Sequence, residues 1–307
     1  MIKYNVAVVI STYNGEKYIT EQILSIQNQV DVNVSIYIRD DGSTDNTVEI
    51  LKTLKEKEKI KDFFYGPNIG YSLSFTKALT SIKEKYDYYA FSDQDDIWEK
   101  NKLYIGIKML INSRSLLYFS SISIVDSSLN YLYKKEFSRN NNFISNFIRY
   151  SAPGCTFIFT NELKEKIFLN NASYEILNFL SYDSFIMLIS NWLDVKIIYD
   201  NKSYILHRIH NRNATLKRWN IFSRIKSEVR NLTLSRTKKF LLINYLLKEY
   251  PFPKNNVNNL NKEFIKKYLN YKNSFREKLS FLLYKELRTG KFLFDLYYKL
   301  LILIGLF

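Results

Sequence analysis

The sequence contains a single cysteine, Cys155, among its 307 residues. One cysteine excludes an internal disulfide and a metal site built on several cysteines, and this fits a reducing compartment. The first ten residues begin an apolar strand pattern and lack the basic region, apolar stretch and cleavage site of a secretion signal. We therefore expect a cytoplasmic protein.

Long apolar runs are also lacking. No stretch reaches the roughly 20 apolar residues that a membrane-spanning helix needs. The last apolar run, Leu300–Phe307, follows Asp295 and Lys299 and is only eight residues long. It can lie in a membrane interface but cannot cross a bilayer.

Acidic residues are scarce in the last third of the chain. Residues 216–307 hold 20 Lys or Arg and 6 Asp or Glu, whereas residues 1–215 hold 25 and 24. Because this charge lies apart from the motifs described below, and no stacking or zinc motif accompanies it, we do not expect nucleic-acid binding. Basic residues among apolar ones on helices favour an anionic membrane surface. The alternative is that these helices fold back on the preceding domain, or pair with a second subunit in a homodimer.

Residues 1–130 alternate apolar strand-like runs with amphipathic helical stretches, which indicates βαβ units, a mostly parallel sheet and an α/β fold. The predicted strands are Tyr4–Ser11, Val34–Arg39, Asp62–Tyr65, Tyr86–Ser92 and Leu116–Val125. The predicted helices are Glu16–Gln27, Thr47–Lys57, Ser72–Lys83 and Trp98–Ile111.

The pattern is less regular beyond residue 150. We expect strands near Gly154–Thr160 and Val195–Tyr199, and helices near Asn161–Leu169 and Asp183–Asn191. From about residue 216 the pattern becomes helical and basic. A domain boundary is therefore predicted near residue 215, with a mainly helical region over residues 216–307.

Three of the first four predicted strands end in polar clusters, namely Ser11–Gly15, Asp40–Asp45 and Ser92–Asp96. Ligands of open α/β sheets bind beyond the carboxyl ends of the strands, so these clusters mark a site. In the third cluster, the carboxylates of Asp93, Asp95 and Asp96 repel one another unless they share a cation. Oxygen ligands of this kind favour Mg²⁺ or Mn²⁺, with positions left open for phosphate oxygens.

These three clusters, together with Asn68–Gly70, resemble in order and spacing the motifs of family 2 inverting glycosyltransferases with the GT-A fold. The likeness covers residues 4–215, with a nucleotide-sugar half over about 1–130 and an acceptor half over about 131–215. The stretch Ser92–Trp98 is similar to that of bacterial rhamnosyltransferase-like enzymes of polysaccharide assembly. The resemblance implies a metal-dependent enzyme with a nucleotide-diphosphate sugar as donor.

The resemblance also implies roles for the nucleotide-binding residues. Thr12, Tyr13 and Glu16 should contact the nucleoside, and Asp41 should accept the N3–H of a uracil or thymine ring. Asp93 should bind the ribose or the metal. Asp95 should be the principal metal ligand, bridging to the diphosphate.

On the acceptor side, inversion requires a carboxylate that takes the proton of the attacking hydroxyl. Asp183 lies where the family carries this base, although Tyr182 precedes it instead of the usual histidine.

The two histidines of the chain lie in Leu206–Asn213, which is similar to the family's Tyr-Arg-Gln-His segment. Arg208 is expected to bind the pyrophosphate, and His210 to be a third metal ligand or a donor to the diphosphate. His207 has no predicted role. Gly154, Cys155 and Trp98 are expected on the acceptor side, with Cys155 as a buried filler.

The predicted function is therefore the transfer of rhamnose or another hexose from a dTDP- or UDP-sugar to a lipid-linked or polysaccharide acceptor. The enzyme is expected to lie peripherally on the inner face of the cell membrane. A non-catalytic nucleotide-sugar-binding or scaffold protein is the alternative, and it would lack one of the acids Asp93, Asp95 and Asp183.

Overall fold

A computed structural model describes residues 3–137, 142–148, 152–168, 173–210, 238–250, 259–287, 292–305 and 307. Contacts divide the chain into two compact units. The first unit comprises Met1–Arg139, Ala152–Ile186 and Val195–Leu216, and the second comprises Asn140–Ser151, Met187–Asp194 and Lys217–Phe307. The boundary predicted near residue 215 lies outside the described residues. Two earlier segments, around residues 140–151 and 187–194, belong with the C-terminal unit.

Nine strands form one sheet among the described residues of the first unit. They are β1 (Tyr4–Thr12), β2 (Val32–Asp40), β3 (Asp62–Tyr65), β4 (Tyr88–Ser92), β5 (Ile97–Trp98), β6 (Leu117–Val125), β7 (Tyr131–Lys135), β8 (Ile158–Thr160) and β9 (Ile197–Arg208). Their order is β3-β2-β1-β4-β8-β6-β9-β5, and β7 pairs with β6.

The central strand β1 is apolar on both faces, and Val6–Ile10 are fully buried, which is typical of a parallel strand covered by helices on both sides. It pairs in parallel with β2 and β4, and β2 pairs in parallel with β3. The sheet becomes mixed beyond β4, because β8 runs antiparallel to both β4 and β6. The predicted α/β class with a mostly parallel sheet is confirmed.

Helices flank this sheet. They are α1 (Ile19–Gln27), α2 (Thr47–Glu56), α3 (Tyr71–Ser81), α4 (Lys102–Ser113), α6 (Asn161–Ile167) and α7 (Ser173–Leu177), while α5 (Phe143–Ile148) belongs to the second unit. At the start of α2, Asp45 Oδ1 accepts a hydrogen bond from the amide of Thr47 at 3.0 Å. Asp45, which precedes the N-cap residue Asn46, thus satisfies one of the free amides in the first turn of α2.

Two predicted elements have different limits in the structure. Trp98 does not begin a helix, because Ile97 and Trp98 pair with Leu206 and Ile205 of β9 as the short strand β5. The following helix, α4, begins at Lys102. The strand predicted to end at Tyr199 continues to Arg208, since β9 stays paired with β6 along its length.

Helices also make up the described C-terminal part of the second unit. α8 (Tyr182–Trp192) starts in the first unit, and α9 (238–249), α10 (Asn259–Asn270), α11 (Phe275–Leu282) and α12 (Phe292–Ile304) follow. Aromatic rings fill its core: Phe147 meets Phe264 edge-on at 5.4 Å, and Phe143 packs on Trp192 at 5.2 Å. In the described parts of the chain, no helix has the length and apolar character needed to cross a membrane.

Candidate active site

The carboxyl ends of β1, β2, β4, β6 and β9 lie at one edge of the sheet, because these strands share one direction. The polar clusters therefore meet there. The amide of Tyr13 donates to Gln94 Oε1 at 2.9 Å, and Gln94 Nε2 donates to the carbonyl of Tyr13 at 3.2 Å. This pair joins the loop after β1 to the loop after β4.

Asp40 fixes the loop after β2 against the end of β1. It is fully buried, and its Oδ2 accepts a hydrogen bond from Thr12 Oγ1 at 2.9 Å. Its Oδ1 accepts from the amides of Gly42 and Ser43 at 3.2 and 2.9 Å. Gly42 has a φ of 82°, which glycine adopts without strain. Sequence reasoning missed this organising role.

Asp41 is also buried and holds the turn before α3. Its Oδ1 accepts from the amide of Ile69 and its Oδ2 from the amide of Gly70, both at 2.9 Å. Its Oδ1 also pairs with the buried guanidinium of Arg39. Since a carboxylate oxygen has two lone pairs, Oδ2 can still accept a base N–H.

Asp95 and His210 form a close pair at this edge. Asp95 Oδ2 lies 2.8 Å from His210 Nε2, and the ring of His210 stacks on Tyr18 with centroids 5.1 Å apart. A carboxylate oxygen and an imidazole nitrogen are both ligands that Mn²⁺ accepts. The structure thus brings together two of the predicted metal ligands.

Arg208 is buried beside this pair. Its Nε donates to the carbonyl of Asp95 at 3.0 Å, its Nη1 to the carbonyl of Ser127 at 2.9 Å, and its Nη2 to Glu21 Oε2 at 2.6 Å. The guanidinium also lies 4.4 Å from the ring of Tyr18. In this structure Arg208 connects α1 with the loops after β4 and β6. A pyrophosphate contact would require it to exchange some of these hydrogen bonds.

A second group of potential metal ligands includes Asp93. One ligand atom each from Asp93, Asp96, Cys155 and His207 fall within 4.8 Å of one another. Asp96 is fully buried and its Oδ1 lies 2.9 Å from His207 Nδ1. Its Oδ2 has no hydrogen-bond partner in the described ranges. Cys155 is thus a neighbour of potential ligands, although the single cysteine excludes a metal site built on several cysteines.

The electrostatics of this group follow from burial and crowding. Burial, then the charge of Asp96, raises the pKa of Asp93 to about 8. Burial alone would lower the pKa of His207, but the carboxylates, chiefly that of Asp96, raise it to about 9. Burial lowers the pKa of Lys102, a fully buried lysine on which the charge of Asp96 acts, to about 7. A shared cation stabilises carboxylates whose charged forms are disfavoured by burial and by mutual repulsion.

The profile of glycosyl transferase family 2 matches residues 7–173. The chain belongs to this family. It is 32% identical to the dTDP-rhamnosyl transferase RfbG of Shigella flexneri over 66% of this chain and 72% of that protein. It is also 30% identical over 39% of its length to a Bacillus subtilis protein, TuaG, named for teichuronic acid biosynthesis, and it spans 47% of that protein.

Solved structures support the fold of this family 2 glycosyltransferase. The crystal structure of S. aureus TarS residues 1–349 in complex with UDP-GlcNAc matches with a TM-score of 0.53. The match covers 77% of this chain and 66% of that chain, at 17% identity. At this identity the likeness shows the fold alone, and the fold is the predicted GT-A fold.

Asp183, the residue predicted as the base of this glycosyltransferase, lies at the start of α8. Its Oδ1 accepts from the amide of Ser184 at 2.8 Å and its Oδ2 from the amide of Gly154 at 3.2 Å. Burial raises its pKa, although these bonds partly offset the effect. The charge of Asp183 contributes to the raised pKa of Asp93, as does the charge of Asp95.

Gly154 lies under the ring of Tyr182. A Cβ at this glycine would collide with the Tyr182 hydroxyl. Tyr182 is buried, with its ring 4.3 Å from that of Phe75 and 4.8 Å from that of Phe91. The tyrosine that replaces the family's usual histidine is thus a packing residue that positions the start of α8.

The other predicted site residues differ in exposure. Tyr13 is about half exposed and free to stack on a base, whereas Thr12 is buried against Asp40. Glu16 Oε2 accepts from the amide and the side chain of Asn46, both at 3.0 Å. A nucleoside contact by Glu16 would compete with this link to the start of α2.

The buried position of Trp98 does not fit its predicted place on the acceptor side. It is 3% exposed in the apolar core, and the ammonium of Lys102 lies 3.4 Å from its ring centroid. Pairing of β5 with β9 buries the indole, so it offers no surface to an acceptor. Cys155 is buried as expected of a filler, and burial raises the pKa of its thiol.

Sequence reasoning missed three residues of the site. Tyr18 contacts both Arg208 and His210, His207 pairs with Asp96, and Lys102 is a buried lysine whose pKa responds to the charge of Asp96. His207 lies near the end of β9, eight residues beyond the predicted strand end at Tyr199, and the sequence there gives no sign of its partner. The signal that could have indicated Lys102 is its apolar setting in the helical stretch Lys102–Leu110.

Proposed function

We propose that this family 2 glycosyltransferase is metal dependent and inverting. It transfers rhamnose or another hexose from a dTDP- or UDP-sugar to a lipid-linked or polysaccharide acceptor in bacterial surface glycan synthesis. The close pair of Asp95 Oδ2 and His210 Nε2, 2.8 Å apart at the edge where the polar clusters meet, is the observation that supports this proposal. Departure of the diphosphate leaving group requires a carboxylate as metal ligand, and activation of the acceptor hydroxyl requires a carboxylate as base.

The donor side uses Asp95 and His210. Their oxygen and nitrogen atoms suit Mg²⁺ or Mn²⁺, with Asp93 as a further ligand or a ribose contact. A cation bound there would neutralise the charge that develops on the leaving diphosphate. Tyr13 would stack on the base, and Asp41 Oδ2 would accept its N3–H.

The acceptor side uses Asp183. Its raised pKa makes it a stronger base than an exposed aspartate. It would take the proton of the acceptor hydroxyl while the oxygen attacks the anomeric carbon from the face opposite the diphosphate. One such displacement inverts the configuration of that carbon.

The resemblance to RfbG supports dTDP-rhamnose as donor, and that to TuaG supports a role in surface polysaccharide assembly. The basic C-terminal region supports peripheral attachment to the anionic inner face of the cell membrane, where lipid-linked acceptors lie.

The test is metal-dependent donor hydrolysis by the full chain with dTDP-rhamnose and UDP-hexoses. We expect release of the nucleoside diphosphate with Mn²⁺ or Mg²⁺ and none in EDTA. Asp95→Asn should reduce this release at least about a hundredfold. The matched control is Asp31→Asn, because Asp31 is exposed and has a φ of 58°, which asparagine tolerates. Full activity in EDTA, or in Asp95→Asn, would contradict the proposal.

A further inference from the structure

The last helix of the chain exposes a continuous apolar stripe. On α12, Leu296, Leu300, Leu303 and Ile304 are 49% to 56% exposed. Their spacing of four, three and one residues places them on one face of the helix. Leu301 and Ile302 are buried on the opposite side. The solvent-facing side of α12 is therefore as apolar as its packed side.

The neighbouring helix carries a similar stripe. Phe275, Leu279 and Leu283, at intervals of four residues on and just after α11, are 78%, 43% and 71% exposed. α11 and α12 are adjacent, because Lys278 Nζ donates to the carbonyl of Leu303 at 3.2 Å. We call these seven exposed side chains of two adjacent helices the α11–α12 face: Phe275, Leu279, Leu283, Leu296, Leu300, Leu303 and Ile304.

Positive charge borders this face. Arg276, Lys285 and Lys299 are exposed within one turn of its apolar residues, and Lys272 is exposed near Gly305. Residues 259–287 and 292–305 together carry eight Lys or Arg and four Asp or Glu. An apolar stripe bordered by cations complements a layer of acyl chains beneath anionic headgroups. A second copy of the same face would bring like charges together.

We propose that the α11–α12 face docks on an anionic phospholipid membrane, with α12 lying parallel to its surface. This inference names the surface responsible for the membrane attachment included in the proposed function, and it rests on that part of the proposal. With 13 residues, α12 is about 20 Å long, too short for the roughly 30 Å hydrocarbon core. Its apolar stripe would enter the headgroup boundary by about 5–10 Å, while the bordering cations reach lipid phosphates.

The experiment is flotation of the full chain with vesicles of phosphatidylcholine, with and without phosphatidylglycerol, at low and high salt. We expect flotation with phosphatidylglycerol and much less without it. Leu300→Glu/Leu303→Glu should lose flotation under all conditions. Leu24→Glu is the matched control, because Leu24 on α1 is 44% exposed and should float like the unmodified chain.

A second variant tests the bordering charge without disturbing the stripe. Arg276→Gln/Lys285→Gln/Lys299→Gln should weaken the partition onto phosphatidylglycerol vesicles roughly a hundredfold, since each cation contributes about fivefold. Lys57→Gln/Lys59→Gln/Lys61→Gln removes the same charge from exposed positions of the first unit and should have little effect. High salt should weaken flotation of the unmodified chain by screening.

Three results would overturn the inference: no flotation of the unmodified chain, equal flotation of the stripe variant and Leu24→Glu, or a dimer that Leu300→Glu/Leu303→Glu dissociates without any flotation. Far-UV circular dichroism and thermal unfolding verify that each variant is folded. Donor hydrolysis without vesicles should be unchanged in the stripe variant. This assay reports on the glycosyltransferase proposal alone, so failures of the two proposals are distinguishable.

Discussion

Asp183 accepts hydrogen bonds from two backbone amides, which fix the direction of its carboxylate. Asp183→Asn keeps the shape of the side chain but removes the carboxylate that we propose as the base. We expect kcat to fall by about 10²–10⁴, with unchanged affinity for the nucleoside diphosphate measured by calorimetry. Asp194→Asn, an exposed residue with a φ of 57°, is the matched control. Lost nucleotide affinity with full turnover would remove Asp183 from the base role.

The raised pKa of Asp183 also predicts the acid side of the pH profile. The base works only when deprotonated, so kcat should fall as the pH falls through this pKa. Because burial raises the pKa, the fall should occur at a higher pH than an ordinary aspartate would give. A kcat that stays constant down to the ordinary aspartate range would contradict this assignment.

At the scale of elements, Tyr18 connects the start of α1 with the end of β9. Its ring lies against both Arg208 and His210, so it should position the imidazole near Asp95. Tyr18→Leu should raise the Mn²⁺ concentration needed for half-maximal hydrolysis several-fold. Tyr18→Phe keeps the ring and should behave like the unmodified enzyme. Equal losses in both variants would instead indicate a role for the hydroxyl group.

The elements that could be predicted from the sequence are those that local pattern determines. β1 to β4 and α1 to α4 are apolar runs and amphipathic stretches, and the clusters at their ends follow from strand direction alone. β5 could not be predicted, because its two residues form a strand only by pairing with β9, which lies about a hundred residues further along the chain. The same pairing buries Trp98 and leaves little of its surface for an acceptor, and no local pattern in the sequence contains this pairing.

The candidate site shows a similar limit. Asp93 and Asp95 were predicted because acids directly after a strand stand out in a sequence, whereas Asp183 was predicted from the resemblance to family 2 glycosyltransferases. The contacts of Arg208 could not be predicted, since its acceptors come from α1, the loop after β4 and the loop after β6. The sequence alone does not distinguish an arginine that hydrogen-bonds to three separate segments from an arginine that is available to bind phosphate.

At the scale of the whole molecule, the second unit needs its C-terminal helices to cover its earlier segments. Phe143 and Trp192 are buried, Phe143 packs on Phe264, and Trp192 Nε1 donates to the carbonyl of Tyr250 at 2.7 Å. A chain that ends at residue 215 leaves these rings uncovered. Each ring then loses about 2 kcal/mol or more of stabilising free energy from burial.

We expect this shortened chain to bind an apolar dye, to aggregate and to unfold at a lower temperature than the full chain. Differential scanning fluorimetry and light scattering measure these effects, with the full chain as reference. A soluble shortened chain with unchanged unfolding would mean that the first unit tolerates the loss of the C-terminal helices.

The assembly of the second unit from three separate segments has a consequence for synthesis on the ribosome. Phe143 and Trp192 leave the exit tunnel well before α10, which covers Phe143, has been made. At about 5–20 residues per second, the delay is on the order of ten seconds. During that interval the nascent chain displays aromatic surface with no partner, so holding chaperones should bind between these two events. Yield in the cell should therefore depend on translation speed over the codons for residues 193–270.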